Sequence, residues 1–213
     1  MDRSNIKGTF IVFEGLDGCG KSTQAQMLAD FFSDRGTKYL HVREPGGTAV
    51  GDQLRSILLN PDTSLTQWGE VLLLAAARAQ LVQDVITPAL ERGEVVISDR
   101  YLFSSLAYQG YGLEQDVELV KRVNLEAVQN LMPDLTFFLE IDPQVGLSRQ
   151  QQVRGLDRIE QRQGEYYARV VQGYSQLFWE YGFTRLDGTA SPEQIHRQVL
   201  DKIKDIWRES GDE

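Results

Sequence analysis

One stretch near the N-terminus combines residue types and spacing that do chemistry together. Gly15-Leu16-Asp17-Gly18-Cys19-Gly20-Lys21-Ser22 matches the phosphate-loop pattern G-x-x-x-x-G-K-S. Glycines let the backbone curl so that its N–H groups and the N-terminus of the next helix point at phosphate oxygens. Lys21 is placed to reach the β- and γ-phosphates of a nucleotide, Ser22 to offer a hydroxyl to Mg²⁺, and Thr23 to join the same set. Cys19, the single cysteine, rules out an intramolecular disulfide and reads as small filler in the loop. The loop alone leaves GTPases, motor-type ATPases and small-molecule kinases open. No Asn-Lys-x-Asp guanine-reading segment occurs, which counts against a GTPase.

Two further clusters follow at a distance. Arg43-Glu44-Pro45-Gly46-Gly47-Thr48 and Ser98-Asp99-Arg100-Tyr101 each come directly after an apolar, β-rich run. Arg43 and Arg100 are suited to gripping phosphate with paired donors, and Asp99 to holding Mg²⁺ directly or through water. The alternative for either arginine taken singly is a structural ion pair, and the presence of both in one crevice favours phosphate binding over it.

The elements that must position these residues alternate. Short strands are predicted at Gly8 to Glu14, Lys38 to Val42, Glu94 to Ser98, Leu135 to Ile141 and Phe183 to Leu186. Helices are predicted at Lys21 to Arg35, closed by Gly36 as a left-handed cap, at Trp68 to Arg92 and at Gln115 to Leu131. Ser191-Pro192-Glu193-Gln194 announces a last helix through a capping box, with Ile195, Val199, Ile203 and Ile206 on its apolar face. The pattern implies an α/β fold with a parallel sheet covered on both faces, in which loops at the carboxyl ends of the strands line one crevice. The charged, Gln-rich stretch from Arg149 to Gln163 reads, on composition alone, as a solvated helix face and loop.

With 213 residues, 41% hydrophobic and 25% charged, the chain suits a single globular domain. Its net charge of −9 gives no global field that would draw nucleic acid or anionic lipid. An early Asp2 and Arg3, and no apolar run of spanning length, set the expectation of a cytoplasmic protein with no membrane partner.

Five ordered segments together resemble the thymidylate kinase family: the phosphate loop with its acidic third residue, R-E-P-G-G-T, A-A-R-A-Q at Ala76 to Gln80, D-R-Y-x-x-S-S-x-A-Y-Q-G from Asp99, and G-L-D-R-I-E from Gly155. The resemblance implies the P-loop nucleoside monophosphate kinase fold, with five parallel strands, flanking helices and a small lid at about residues 146–163. It implies transfer of the γ-phosphoryl group of MgATP to dTMP by a homodimer. It also implies that Arg43 and Arg100 bind the acceptor phosphate, with Pro45 beside them, and that Arg78 meets the thymine ring. Ser105 and Gln109 would lie near the base, Tyr108 would crowd the sugar C2′ position, and Asp17 and Glu160 would lie near the sugar or the metal. The loop 16–19 carries no basic residue, so the pattern is similar to the bacterial type whose lid arginines close over ATP. Arg154 is the first choice for that role and Arg158 the second, with Arg149 as a further nucleotide contact. Leu74 stands where the family usually places a stacking Phe, which leaves the strictness of thymine selection open. A kinase for another nucleotide or deoxynucleoside, and a P-loop module that only binds nucleotide, are the alternatives.

Overall fold

The computed structural model describes residues 7–153, 157–162 and 164–209. Five parallel strands form one sheet in the order β2-β3-β1-β4-β5: β1 Phe10–Gly15, β2 Tyr39–Arg43, β3 Val95–Asp99, β4 Leu135–Glu140 and β5 Thr184–Asp187. Each lies within a residue or two of its sequence-predicted span. β1 sits at the centre with every residue buried, as expected of an apolar run packed on both faces. Phe13 stacks on Phe137 of β4 with ring centroids 5.3 Å apart, and the edge of Phe10 meets Tyr101 at 4.9 Å.

The helices are α1 Lys21–Asp34, α2 Ala49–Leu59, α3 Gln67–Leu81, α4 Thr87–Glu91, α5 Leu102–Ser105, α6 Val117–Ala127, α7 Pro143–Val153, α8 Glu165–Tyr181 and α9 Pro192–Glu209. Gly36 follows α1 at a φ of 67°, the predicted left-handed cap. The capping box of α9 forms in both directions: Gln194 N donates to Ser191 Oγ at 3.3 Å, and Ser191 N to Gln194 Oε1 at 3.1 Å. Ile195, Val199 and Ile203 are buried on its inner face, while the side chain of Ile206 lies outside the described residues.

The predicted long helix from Trp68 exists, but a π-turn at Val82–Ile86 joins α3 to α4. Pro88 has no N–H to return to the preceding turn, and the wider π spacing lets the chain pass it without ending. The run Gln67–Glu91 is long and apolar enough, at a mean hydropathy of 1.2, to cross a membrane, yet half of its most apolar stretch is buried inside the fold. It also carries Glu70 and Arg78, both buried and ion-paired, as a core helix does. A second π segment, Leu106–Gly112, extends α5 and packs against α8. Composition hid α8. Its Tyr166, Tyr167, Val170, Tyr174 and Leu177 recur at helical spacing and are all buried, immediately after the polar stretch that reads as solvated.

Candidate active site

β1 ends at Gly15 with a φ of 140°, and a Cβ there would stand 2.5 Å from the Leu139 carbonyl oxygen. Only glycine fits, and the chain turns into the phosphate loop and then into α1 at Lys21. Lys21 is buried, with Nζ donating to the carbonyl oxygens of Gly15 at 3.0 Å and Leu16 at 2.7 Å. Cys19 is buried beside it, its Sγ 3.6 Å from Nζ, and burial pushes the thiol pKa up. Ser22 Oγ donates to Asp99 Oδ2. A hydroxyl and a carboxylate at the mouth of the loop are hard oxygen donors, which suits Mg²⁺, an ion that keeps several waters and takes few protein ligands.

The loop opens into a cleft of about 450 Å³. Asp17, Gly18, Gly20, Lys21, Ser22 and Thr23 line its nucleotide end, with Arg149 of α7. Arg149 donates to the carbonyl oxygens of Gly188 at 3.0 Å and Gly18 at 3.3 Å. Gly15 and Cys19 shape the loop from behind and do not line the cleft.

The other end gathers the residues that follow β2 and β3. Arg43 and Asp99 lie in register at the ends of adjacent strands. Arg43 is exposed on the cleft wall and has no ion pair among the described residues, whereas Pro45 beside it is half-buried. Arg100 has a φ of 78°, costly for a side-chain-bearing residue unless its surroundings hold it. They do. Its N donates to Phe13 O at 3.0 Å, Ser98 Oγ donates to its carbonyl at 2.7 Å, and its guanidinium donates to Ser104 Oγ at 2.8 Å and Asp17 Oδ1 at 2.6 Å. Behind it, fully buried Glu14 accepts from Tyr101 N at 2.9 Å, Ser104 N at 3.1 Å, Ser104 Oγ at 2.6 Å and Tyr174 OH at 2.9 Å. Glu14 thus caps α5 and fixes the turn that aims Arg100.

Both oxygens of Asp17 are taken, Oδ1 by Arg100 and Oδ2 by Tyr108 OH at 3.0 Å. Burial opposes its charge, but Arg100 and Lys21 outweigh burial and pull the carboxyl down to about 2. As a direct metal ligand Asp17 would have to give up one of these bonds, so the structure shows it as an organiser of Arg100 and Tyr108.

Leu74, Arg78, Ser105, Tyr108 and Gln109 form the deep wall. Arg78 is buried and donates to Glu44 Oε2 at 2.5 Å, Ser105 Oγ at 3.0 Å, Tyr101 O at 3.2 Å, and Asn124 Oδ1. Burial pushes Glu44 up to about 7 against the pull of Arg78, and its Oε1 has no partner among the described residues.

The lid departs most from the sequence expectation. Arg154, the first choice for the phosphates, lies outside the described residues, as does Gly155. Arg158 turns away from the cleft, its Nε donating to Leu58 O at 2.8 Å and its Nη2 to Glu70 Oε2 at 2.7 Å. The buried carboxylate of Glu70 on α3 and the Leu58 carbonyl together take two of its donors. Glu160 is buried within its own segment, where Oε2 accepts from Asp157 N at 2.9 Å, and among the described residues 157–162 only Asp157 and Ile159 line the cleft.

Several contributors were not singled out from the sequence. Glu14, Glu44 and Ser104 sit in or next to segments read as functional, but Glu14 and Glu44 hold residues 34 to 160 positions away. Arg55 lines the cleft from α2 and donates to Pro45 O at 2.7 Å; only the helical periodicity after Thr48 signals it. Gly146 gives no sequence signal.

A parallel sheet with a phosphate loop after its central strand and paired arginines across the same cleft defines a P-loop nucleoside monophosphate kinase. The thymidylate kinase family model matches residues 13–199. The chain is 43% identical over 205 residues to the thymidylate kinase of Halothermothrix orenii, covering 93% of this chain and 98% of that one. It is 44% identical over 209 residues to that of an Exiguobacterium species, covering 97% and 99%. The crystal structure of thymidylate kinase from Ehrlichia chaffeensis superposes with a TM-score of 0.74 at 29% identity, covering 92% of this chain and 98% of that one. This chain belongs to the thymidylate kinase family.

Proposed function

We propose that the chain transfers the γ-phosphoryl group of ATP to dTMP, giving dTDP and ADP, within this single cleft. The observation that carries the reading is the meeting of two phosphate-binding ends: Lys21 and the loop at one, Arg43 and Arg100 at the other. An uncharged nucleoside would leave the second end without a partner.

Phosphoryl transfer through a loose transition state needs positioning and charge stabilisation more than proton transfer. The acceptor phosphate is already ionised at neutral pH, so no general base is assigned. Lys21 exchanges its two loop carbonyls for β- and γ-phosphate oxygens. Arg43 and Arg100 hold the acceptor phosphate in line, and Asp17 fixes Arg100 and Tyr108, whose ring closes the sugar side against a 2′-hydroxyl. Leu74 covers one face of the base, with Arg78, Ser105 and Gln109 at its edge. Arg149 braces the nucleotide end, and Arg154 is the lid arginine proposed for the transferring phosphate. Ser22 and Asp99 would hold Mg²⁺, directly or through water, with Glu160 and Asp17 further out; the ion supplies neutralisation of charge on the ATP phosphates.

We place the reaction in the cytoplasm and propose a homodimer, to which Val50 and Ile57 of α2 and Leu72 of α3 offer exposed apolar surface. Sedimentation tests the assembly. The activity is tested by following ADP release from MgATP with dTMP, dUMP, dCMP, dGMP, AMP and thymidine in turn. Preferred turnover of dTMP supports the reading, and a clear preference for another acceptor overturns it.

A further inference from the structure

Three side chains from two separate segments converge on the carboxylate of Glu70, which is 1% exposed in the first turn of α3. Oε1 accepts from Gln109 Nε2 at 2.8 Å and from Arg162 Nη1 at 3.0 Å. Oε2 accepts from Arg158 Nη2 at 2.7 Å and from Arg162 Nη2 at 2.6 Å. Burial works against the charge, but Arg162, Gln109 and Arg158 outweigh it and hold the carboxyl below its ordinary pKa. Glu70 therefore has no proton to donate, and every group facing it must be a donor.

That requirement fixes the amide of Gln109. Its nitrogen must face Glu70, and its oxygen is the end left over. Gln109 lines the cleft, its Nε2 is held on Glu70, and its Oε1 has no hydrogen-bond partner among the described residues, which leaves that oxygen for a ligand in the cleft. Glu70, Leu74 and Arg78 follow one another at four-residue spacing along a single face of α3. The wall beside Leu74 thus presents Arg78, which can only donate, and the fixed oxygen of Gln109, which can only accept.

A pyrimidine imide offers carbonyl oxygens flanking a ring N–H, which matches that order. Cytosine offers an amino group and a bare ring nitrogen, which opposes it at both points. A freely turning glutamine would serve either base by rotating its amide. We propose that Glu70 is a positioning residue that sets the acceptor base preference, locking the Gln109 amide with its oxygen toward the cleft so that imide bases are accepted and cytosine is rejected.

The inference rests on the dTMP kinase reading, and the test separates the two. Values of kcat/KM for dTMP, dUMP and dCMP are measured on the wild type, Glu70→Gln, Gln109→Leu and the double variant. A glutamine at position 70 can donate or accept, so it frees the amide. The dTMP-to-dCMP ratio is expected to fall at least about tenfold in Glu70→Gln, equally in Gln109→Leu, and no further in the double variant. The dTMP-to-dUMP ratio stays constant, because both bases are imides. Loosening of the lid by loss of the Arg158 and Arg162 pairs slows all three substrates alike and cancels from the ratio. An unchanged dTMP-to-dCMP ratio in folded Glu70→Gln overturns the role of Glu70 alone, whereas a wild type inactive on dTMP overturns the function and this inference with it. If Glu70→Gln does not fold, ¹⁵N-glutamine labelling of the wild type decides. Slow solvent exchange of the Gln109 side-chain protons, in free and dTMP-bound protein, is expected, and free exchange overturns the lock.

Discussion

Gly146, in the first turn of α7, lies against Gly18 of the phosphate loop with no side chain between them. A methyl group on Gly18 would stand 2.1 Å from the Gly146 carbonyl oxygen, and one on Gly146 would stand 2.4 Å from that of Asp17. Arg149, one turn further along α7, bonds to the Gly18 carbonyl, so the helix braces the loop by backbone contact and by charge. Gly146→Ala is expected to push the loop off its position at an overpacking cost of about 1–3 kcal/mol. Steady-state kinetics should show the KM for ATP raised and kcat lowered at least about tenfold, with the circular dichroism of the fold retained. Wild-type kinetics in this variant would mean that the loop is not braced by α7.

The Asp17–Arg100 pair predicts a pH dependence with a definite sign. The Asp17 carboxyl is pulled from 3.8 to about 2, so its contribution is fully present above about pH 4 and is lost as the pH falls toward 2. The depression corresponds to about 2 kcal/mol. Denaturant unfolding of wild type and Asp17→Asn should differ most above pH 4 and converge by about that amount toward pH 2. A difference that stays constant across this window contradicts the pairing.

Leu74 is 7% exposed on the cleft wall, where the base of the acceptor would rest. An aromatic ring adds a stacking contribution of about 0.5–1.5 kcal/mol. Leu74→Phe should therefore lower the KM for dTMP by roughly two- to tenfold with kcat little changed, as uniform binding requires. A raised KM would show that Leu74 is fitted to the wall and has no room to grow.

Two of the described lid arginines, Arg149 and Arg158, should separate cleanly. Arg149→Ala is expected to raise the KM for ATP, because Arg149 faces the loop. Arg158→Ala is expected to destabilise the fold by about 1–3 kcal/mol through its lost bonds to Glu70 and Leu58, and to leave the KM for ATP within about twofold. A large loss of kcat in Arg158→Ala at unchanged stability would return Arg158 to the phosphates.

The fold was legible wherever one local signal sufficed. Apolar β-branched runs marked the strands, Gly36 marked the end of α1, and Ser191 with Gln194 marked the start of α9. The site was legible as motifs, because a phosphate loop and strand-end arginines are contiguous in sequence. The partnerships between motifs were not. Glu70 meets Arg158 and Arg162 across 88 and 92 positions, and nothing local in either segment names the other. The same holds for Glu14 and Tyr174, 160 positions apart, and for the backbone contact of Gly18 with Gly146. Arg158 was read toward the phosphates because its charge was visible and its buried partner was not.

The most direct test of the account is to incubate the protein with Mg²⁺, ATP labelled at the γ-phosphate and dTMP, and to separate the nucleotides. The account predicts label in the β-position of dTDP, little label in inorganic phosphate, and near-complete loss of transfer in Lys21→Ala and Arg100→Ala. Label accumulating only in inorganic phosphate, or equal transfer to thymidine and dTMP, would contradict it.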